Sequence, residues 1–215
     1  MIVSGGILLL LFVSSLILFP FLPEILASHW DARGVADGYM SKTWALFLLP
    51  VIALAVTLFL AYLPRLDPLR ENIEQFRNTY EWFLAGILLF LLYIHLLTLA
   101  WNLGFRFSMM MVLSPAFAAF FYGCGILIGR AKRNWFIGIR TPWTLSSDHV
   151  WEVTHRRGAL LFRVCGLIAL GGVILPDLAI AFILVPVLAT SVYLVVFSYW
   201  EYRRERLAGP RETPA

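Results

Sequence analysis

Residues 80–101 read YEWFLAGILLFLLYIHLLTLAW, a long apolar segment from which the fold class of the chain follows. It is about as long as the ~20 residues that a helix needs to cross the hydrocarbon core of a bilayer. Within it, residues 86–92, GILLFLL, show no alternation of apolar and polar side chains, whereas strands of a membrane barrel alternate and run for only ~10 residues. Because a helix satisfies its own backbone hydrogen bonds in lipid, the sequence predicts a transmembrane helix here.

The rest of the 215-residue chain repeats this pattern, since 60% of the residues are hydrophobic and only 14% are charged. The sequence predicts an all-α, polytopic membrane protein, a bundle of six transmembrane helices. The predicted spans are 2–22, 44–63, 80–101, 107–129, 159–175 and 178–199. The predicted organisation is a two-span unit at 1–63 with an extracytoplasmic loop at 23–43, a cytoplasmic connection at 64–79, spans three and four within 80–129, a cytoplasmic motif loop at 130–158, spans five and six within 159–200, and a basic cytoplasmic tail at 201–215.

The orientation follows from the basic residues of the connections, which are retained on the cytoplasmic side of a membrane. The first, third and fifth connections hold three Lys and Arg residues, whereas the second, the fourth and the tail hold thirteen. Both termini are therefore predicted to be cytoplasmic. The protein itself is predicted to lie in the inner (plasma) membrane of a cell. The net charge of +4 indicates contact with membrane lipid and not with nucleic acid, because the charge follows the topology.

The first connection, residues 23–43, is dense in polar and turn-forming residues, and Gly34 and Gly38 permit tight turns there. Its candidate peptide- or cation-binding residues are His29, Trp30, Asp31, Asp37, Tyr39 and Lys42. The two carboxylates lie two and eight residues after His29, spacings that match no metal-site signature. We therefore predict no metal site here and expect a hydrogen-bonded loop.

The fourth connection contains the polar stretch 134–157, NWFIGIRTPWTLSSDHVWEVTHRR. A Thr-Pro turn precedes a helix start, for which Ser146 or Ser147 is the predicted N-cap. The pattern predicts an amphipathic segment lying on the membrane surface. Its expected features are one face with Val150, Trp151 and Thr154, a second face with His149, Glu152 and Arg156, and tryptophans 135, 143 and 151 at headgroup depth.

A zinc or hydrolase site in this connection is a weaker hypothesis. His149 and His155 stand six residues apart and diverge by ~120° around a helix, whereas a zincin presents two histidines at i and i+4. No third ligand stands at an obvious spacing, so we predict neither a metal nor a catalytic set. Arg140, held beside a Thr-Pro turn, is expected either to donate to helix-end carbonyls of the bundle or to bind a phosphate.

His95 is the only ionisable residue that the sequence places fully inside a span. Such a residue is a functional candidate, because burial of a polar group in lipid is costly. The alternative is a neutral histidine that hydrogen-bonds to Thr98 or to a facing helix. A proton or ion path needs several such groups in different spans, so a single histidine does not form such a path.

Both polar connections resemble those of one family, the SdpI-type bacterial membrane proteins. In the fourth connection, the residues that carry the resemblance are Asn134, Gly138, Ile139, Arg140, Thr141, Pro142, Trp143, Thr144, Leu145, Val150, Trp151, Thr154, His155, Arg156 and Gly158. In the first connection they are Leu22, Pro23, His29, Trp30, Gly34, Asp37, Tyr39, Ser41 and Lys42, similar to the domain of unknown function that commonly precedes the motif. The chain departs from that pattern at Asp31, where asparagine is expected.

The resemblance implies an immunity protein without a cofactor, which protects a cell from a secreted antimicrobial peptide. It further implies a signal to a cytoplasmic transcriptional repressor, with the first connection meeting the peptide toxin and the fourth meeting the repressor. The rival hypothesis is a membrane-embedded enzyme or transporter for a small or lipidic substrate near the cytoplasmic interface. That rival would use the polar groups of Arg140, His149, Glu152 and His155.

Overall fold

The computed structural model describes residues 2–208, and long helices dominate it. The helices are α1 (Ile2–Leu18), α2 (Lys42–Leu66), α3 (Arg70–Glu74), α4 (Arg77–Asn102), α5 (Met109–Arg130), α6 (Pro142–Ser146), α7 (Asp148–Ala169), α8 (Gly171–Ile174) and α9 (Ala179–Leu207), with 3₁₀ turns at Phe19–Phe21 and Pro176–Leu178. Two strands, β1 (Ile25–Trp30) and β2 (Ala36–Ser41), lie between α1 and α2. The predicted tail at 201–215 continues α9 to Leu207, and residues 209–215 lie outside the described part.

The predicted six spans are confirmed, since six helical segments within residues 2–208 are long and apolar enough to cross a membrane. The fifth differs most from its prediction: α7 begins at Asp148, eleven residues before the expected start at 159. Ser147 is its N-cap and accepts a hydrogen bond from the Val150 amide at 3.2 Å, as predicted. The segment predicted to lie on the membrane surface is therefore the first part of a spanning helix, and the polar loop ends before residue 148.

The first connection is a β-hairpin and not an irregular loop, because β1 and β2 pair antiparallel with a register shift around His29. Lys42 belongs to the first turn of α2 rather than to the loop. One side of the hairpin packs against α2 and α4. The hairpin therefore caps the end of the bundle at which α2 starts and α4 finishes.

The helices pack as two groups that meet along α4 and α5. In the first group α1 packs on α2 and α4, and in the second α7 packs between α5 and α9. Buried leucines fill the first group, and the second is lined by small and aromatic residues such as Ala118, Ala169 and Phe121. Small residues at helix contacts let backbones approach closely, the usual way in which helices associate in lipid.

Pro50 lies inside α2 and cannot donate to the carbonyl of Leu46, four residues earlier. The Ser15 hydroxyl of α1 bonds to this freed carbonyl at 2.7 Å, and Nε2 of His95 lies 3.0 Å from the same hydroxyl. His95 thus bonds to a facing helix, one of the two alternatives that the sequence left open, whereas Thr98 bonds to Ile94 of its own helix. The embedded histidine belongs to a polar contact that joins α1, α2 and α4.

Pro64 repeats this arrangement near the end of α2, where it frees the carbonyl of Leu60. The phenol of Tyr80, from the start of α4, donates to that carbonyl at 2.7 Å. Two polar side chains therefore compensate the two prolines of one spanning helix. This satisfies the requirement that backbone groups in lipid find protein partners.

Candidate functional site

Polar residues collect at the two ends of the bundle, and α4 connects these ends. The motif residues surround the start of α4, where Tyr80 joins a buried cluster with Ile137 and Trp151. The hairpin lies against its other end, at Asn102. A 26-residue helix is about 39 Å long. The two polar ends are therefore separate sites.

Three side chains of the hairpin form an exposed polar surface, which we name the hairpin face: His29, Asp37 and Tyr39. Nδ1 of His29 lies 2.5 Å from a carboxylate oxygen of Asp37, with side chains 71% and 48% exposed. Tyr39 is 60% exposed and shares a side of β2 with Asp37, two residues earlier. The three side chains are therefore exposed on one surface of the hairpin.

The remaining candidates of the first connection are engaged within the protein. Lys42 is only 8% exposed, pairs with Glu24 at 2.7 Å and lies over the ring of Phe19. The indole of Trp30 packs edge-on against Trp101, at 5.6 Å between ring centres. Both residues therefore hold the hairpin against the bundle, and neither belongs to the hairpin face.

Asp31 shapes the turn between the strands. One of its carboxylate oxygens accepts hydrogen bonds from the amides of Arg33 and Val35, both at 2.9 Å. The bond from Val35 is the main cause that lowers the pKa of this carboxyl below its ordinary value. Gly34 has φ +76°, a conformation that glycine adopts without strain. Asp31 thus has a local structural role.

Asn102, a residue that sequence analysis did not select, fixes the hairpin to α4. Its side-chain amide accepts from the Ala27 amide at 2.8 Å and donates to the Ala27 carbonyl at 2.9 Å. This pair of bonds occupies the backbone edge of β1 at Ala27. No local pattern marks Asn102, because its partner lies 75 residues earlier in the chain.

Asn134 organises the other end, where the motif lies. Its side chain is fully buried, donates to the carbonyls of Lys132 and Ile137, and accepts from the amides of Phe136 and Ile137. Four bonds from one amide close the loop between α5 and α6. The residue is therefore part of the architecture and is inaccessible to a partner.

Thr141 and Thr144 continue this closed network. They form a reciprocal capping box at the start of α6, where Pro142 occupies the first helical position. The Thr141 hydroxyl also lies 3.1 Å from the hydroxyl of Ser198 on α9. The motif loop is thereby joined to the last spanning helix.

His155 uses both nitrogens of its ring within the protein. Nδ1 donates to the Trp151 carbonyl at 2.8 Å, and Nε2 accepts from the Ile139 amide at 3.0 Å. The imidazole stacks on the Trp151 indole at 3.8 Å between ring centres. Gly138, with φ +121°, passes so close that an added Cβ would meet Nε2 of His155 at 2.5 Å. This histidine therefore supports the loop and is not placed to exchange protons with a substrate.

The polar groups of the rival enzyme hypothesis do not converge. Arg140 is exposed and donates to the Trp135 carbonyl at 3.0 Å, within its own loop and not to a helix end. Glu152 is exposed and His149 is partly exposed on α7, whereas His155 is buried. Within residues 2–208, no group of three or more His, Cys, Asp or Glu side chains is placed to hold a metal.

The predicted tryptophans have different environments. Trp135 is 52% exposed, and Trp143 packs against Tyr199 at 5.1 Å between ring centres. Trp151 is only 3% exposed and donates its indole N–H to the Ala131 carbonyl at 2.9 Å. Val150, Trp151 and Thr154 share one face of α7, as predicted, but this face is buried in the bundle and does not belong to a separate surface helix.

The second connection braces the motif, a feature that sequence analysis missed. Asp67 is 3% exposed, and its two carboxylate oxygens accept from the amides of Leu69 at 2.7 Å and Trp135 at 2.9 Å. Asn72 donates to the Arg133 carbonyl at 2.7 Å. Partners more than 60 residues apart leave no signal in local sequence.

The fold and its two polar ends define a multi-pass protein of the cell membrane with six spanning helices, a hairpin at one end and a closed motif at the other. The model of the SdpI/YfhL protein family matches residues 130–199 of the chain. A second model, a domain of unknown function (DUF1648), matches residues 6–54. The chain is similar to the immunity protein SdpI of Bacillus subtilis (strain 168), with 29% identity over 205 residues that cover 94% of this chain and 96% of the relative. No solved structure matches it.

Proposed function

We propose that this membrane protein is an immunity protein, which protects the cell that carries it from a secreted antimicrobial peptide. The observation that carries the proposal is the similarity to an immunity protein over almost the full length of both chains. A match of that extent includes the hairpin, the motif and all six spans. The proposal needs no cofactor, because protection by a receptor depends on binding and not on a reaction.

The charge distribution supports a topology in which the hairpin faces outward. Thirteen basic residues lie in or next to the second connection, the fourth connection and the tail, against three on the opposite side. Basic residues near span ends are retained in the cytoplasm. Both termini and the motif end then lie inside the cell, and a secreted peptide reaches the hairpin first.

The hairpin face is the proposed peptide-binding surface. His29 and Asp37 offer hydrogen-bonding groups to a peptide, and Tyr39 supplies aromatic contact area with a polar tip. These side chains are exposed because the hairpin is seated through other residues, above all Lys42 and Asn102. A peptide can therefore bind without disturbing the contacts that hold the hairpin.

A signal to a cytoplasmic transcriptional repressor is the second part of the proposal. The surface of the motif end available to such a partner includes Trp135 and Arg140, which project from a loop whose interior is closed by hydrogen bonds. Peptide binding must favour one arrangement of the bundle over another, or nothing reaches that surface. Helix α4, which contacts both ends, is the element best placed to couple them.

The experiment is survival of a sensitive bacterium that carries this gene or an empty vector, challenged with a panel of secreted antimicrobial peptides that includes the killing-factor type. We expect protection against at least one peptide, at a concentration that kills the vector strain. Equal killing of both strains by every peptide, with the protein present in the membrane, would contradict the proposal.

A further inference from the structure

A groove runs between α7 and α9 at the end of the bundle that carries the motif. It encloses about 860 Å³ and opens sideways between the two helices. The hydrogen bonds that close the motif leave it untouched, because its walls come from the exposed side of α7. The groove is therefore separate from the motif, and its own lining residues determine which ligand it can bind.

The mouth of the groove is basic. Within residues 2–208, neither Arg156 nor His149 has a hydrogen-bond or ion-pair partner, and both line the groove. Arg157 is held in place: it donates to the Tyr193 hydroxyl at 2.5 Å and lies over the Phe197 ring at 4.7 Å. This arrangement fixes one guanidinium and leaves a second one, with an imidazole, open to an anion.

Among residues 2–208, one carboxylate lies at the mouth, and it does not cancel this charge. Glu201 lines the groove, but it accepts a hydrogen bond from Arg204 of its own helix at 3.0 Å. Two guanidinium groups therefore face a single carboxylate that already has a cationic partner. A ligand for the mouth must carry at least one negative charge.

The part of the groove toward the middle of α7 and α9 is apolar. Leu160, Leu161 and Ala189 line it, and Leu160 is 62% exposed within residues 2–208. From residue 149 to residue 161, α7 rises about 18 Å. A ligand that fills the groove must therefore join an anionic head to a long apolar tail.

We propose that this groove binds an anionic phospholipid, with its phosphate at Arg156 and Arg157 and one acyl chain along Leu160, Leu161 and Ala189. Arginine suits phosphate because its planar guanidinium presents paired donors. Basic pockets between spanning helices are known sites for anionic lipid headgroups. The apolar groove between α4 and α5, lined by residues such as Trp82, Leu89 and Phe90, has no comparable charge, so any acyl chain can fill it.

The test is native mass spectrometry of the full chain in detergent, with phosphatidylglycerol or phosphatidylcholine of identical acyl chains added. We expect preferential retention of phosphatidylglycerol, and about 25-fold weaker retention in Arg156→Gln/Arg157→Gln, since each arginine near a headgroup contributes roughly fivefold. Arg203→Gln, an exposed arginine at the same end but outside the groove, is the matched control and should retain wild-type binding. Equal retention of both lipids, or an equal loss in the control, would overturn the proposal.

A second variant keeps the proposal testable if the arginine double variant does not fold. Ala189→Trp fills the apolar part without changing charge, and Ala189 faces outward, so the bundle should fold. We expect it to lose phosphatidylglycerol at least tenfold, and we expect a large excess of glycerol phosphate not to displace the lipid from wild type. Retention in Ala189→Trp, or displacement by glycerol phosphate, would show a site for a free anion and contradict a lipid site.

Discussion

The two polar ends of this protein use similar residues in opposite ways. At the motif end, Asn134 and Thr144 are fully buried and their polar atoms bond within the protein. In the hairpin, the side chains of His29 and Asp37 are 71% and 48% exposed, and within residues 2–208 they bond only to each other. A histidine stands at each end, yet His155 has both ring nitrogens occupied by the backbone.

A dense polar motif in a membrane protein is therefore not by itself a binding site. A loop between two spans must satisfy its backbone amides and carbonyls, and the motif residues do this with their side chains. The hairpin satisfies its backbone through strand pairing and Asn102, so its side chains remain available. We therefore expect substitutions at the motif end to act on stability and those on the hairpin face to act on recognition.

The largest expected effect is that of Asn134→Ala. It removes four hydrogen bonds and leaves buried backbone groups without partners, so we expect a loss of about 4 kcal/mol in the free energy of unfolding. The measurement is unfolding in mixed detergent–SDS micelles followed by circular dichroism. Gln75→Ala, which removes an exposed amide at the same end, is the control and should cost less than ~0.5 kcal/mol; equal losses would contradict a structural role for Asn134.

Gly138→Ala should destabilise the protein by about 3 kcal/mol, since it combines backbone strain at positive φ with a clash against His155. Gly104→Ala separates the two causes. Gly104 has φ +104° but open space around its Cβ position, so strain alone should cost about 1 kcal/mol. The same unfolding measurement applies, and similar losses for the two variants would show that packing of Gly138 on His155 contributes nothing.

Asp67→Asn tests the contact between the second connection and the motif. An amide NH₂ would face one of the two backbone amides that the carboxylate now accepts from, and we expect a loss of about 2 kcal/mol. Asp148→Asn, which weakens the exposed ion pair with Arg133, should cost at most ~1 kcal/mol. A larger loss at Asp148 than at Asp67 would reverse our ranking of these contacts.

Asp31→Asn has the smallest expected effect, because one side-chain oxygen accepts both turn hydrogen bonds and an amide oxygen can replace it. The melting temperature should stay within error of wild type at pH 7. The lowered pKa of Asp31 means that its stabilisation is complete above the ordinary carboxyl pKa of about 4 and is lost as the pH falls through the lower, folded-state value. Protection of the Val35 amide from hydrogen exchange, corrected for intrinsic rates, should therefore fall at low pH in wild type more than in the variant.

Much of this fold could be predicted from sequence, because lipid demands long apolar helices. The prediction of a surface segment at 148–158 was wrong, because the predicted face with Val150, Trp151 and Thr154 is buried in the bundle and α7 continues from Asp148 into the fifth span. The hairpin was missed because its short strands carry little alternation of apolar residues. The prediction that Ser147 caps a helix was confirmed, since capping is a local interaction.

At the two polar ends, the sequence predicted which residue types are present but not which of them are exposed. The exposure of His29 and the burial of His155 depend on what packs around each histidine, which local sequence does not record. Asp67 and Asn102 escaped notice because each bonds to a segment more than 60 residues away. Hydrogen bonds to distant segments of the chain therefore distinguish the structural residues from the residues that remain available to a ligand.

We propose that the motif end is structural and that the hairpin face recognises the peptide. The most direct test is the survival of a strain that carries His29→Ala/Asp37→Ala, challenged with a peptide against which wild type protects, at equal protein levels in the membrane. The exposed pair contributes at most ~1 kcal/mol to stability, so the variant should fold and reach the membrane. We predict that protection falls to the level of the empty vector. Survival equal to wild type would contradict the claim that the hairpin face recognises the peptide.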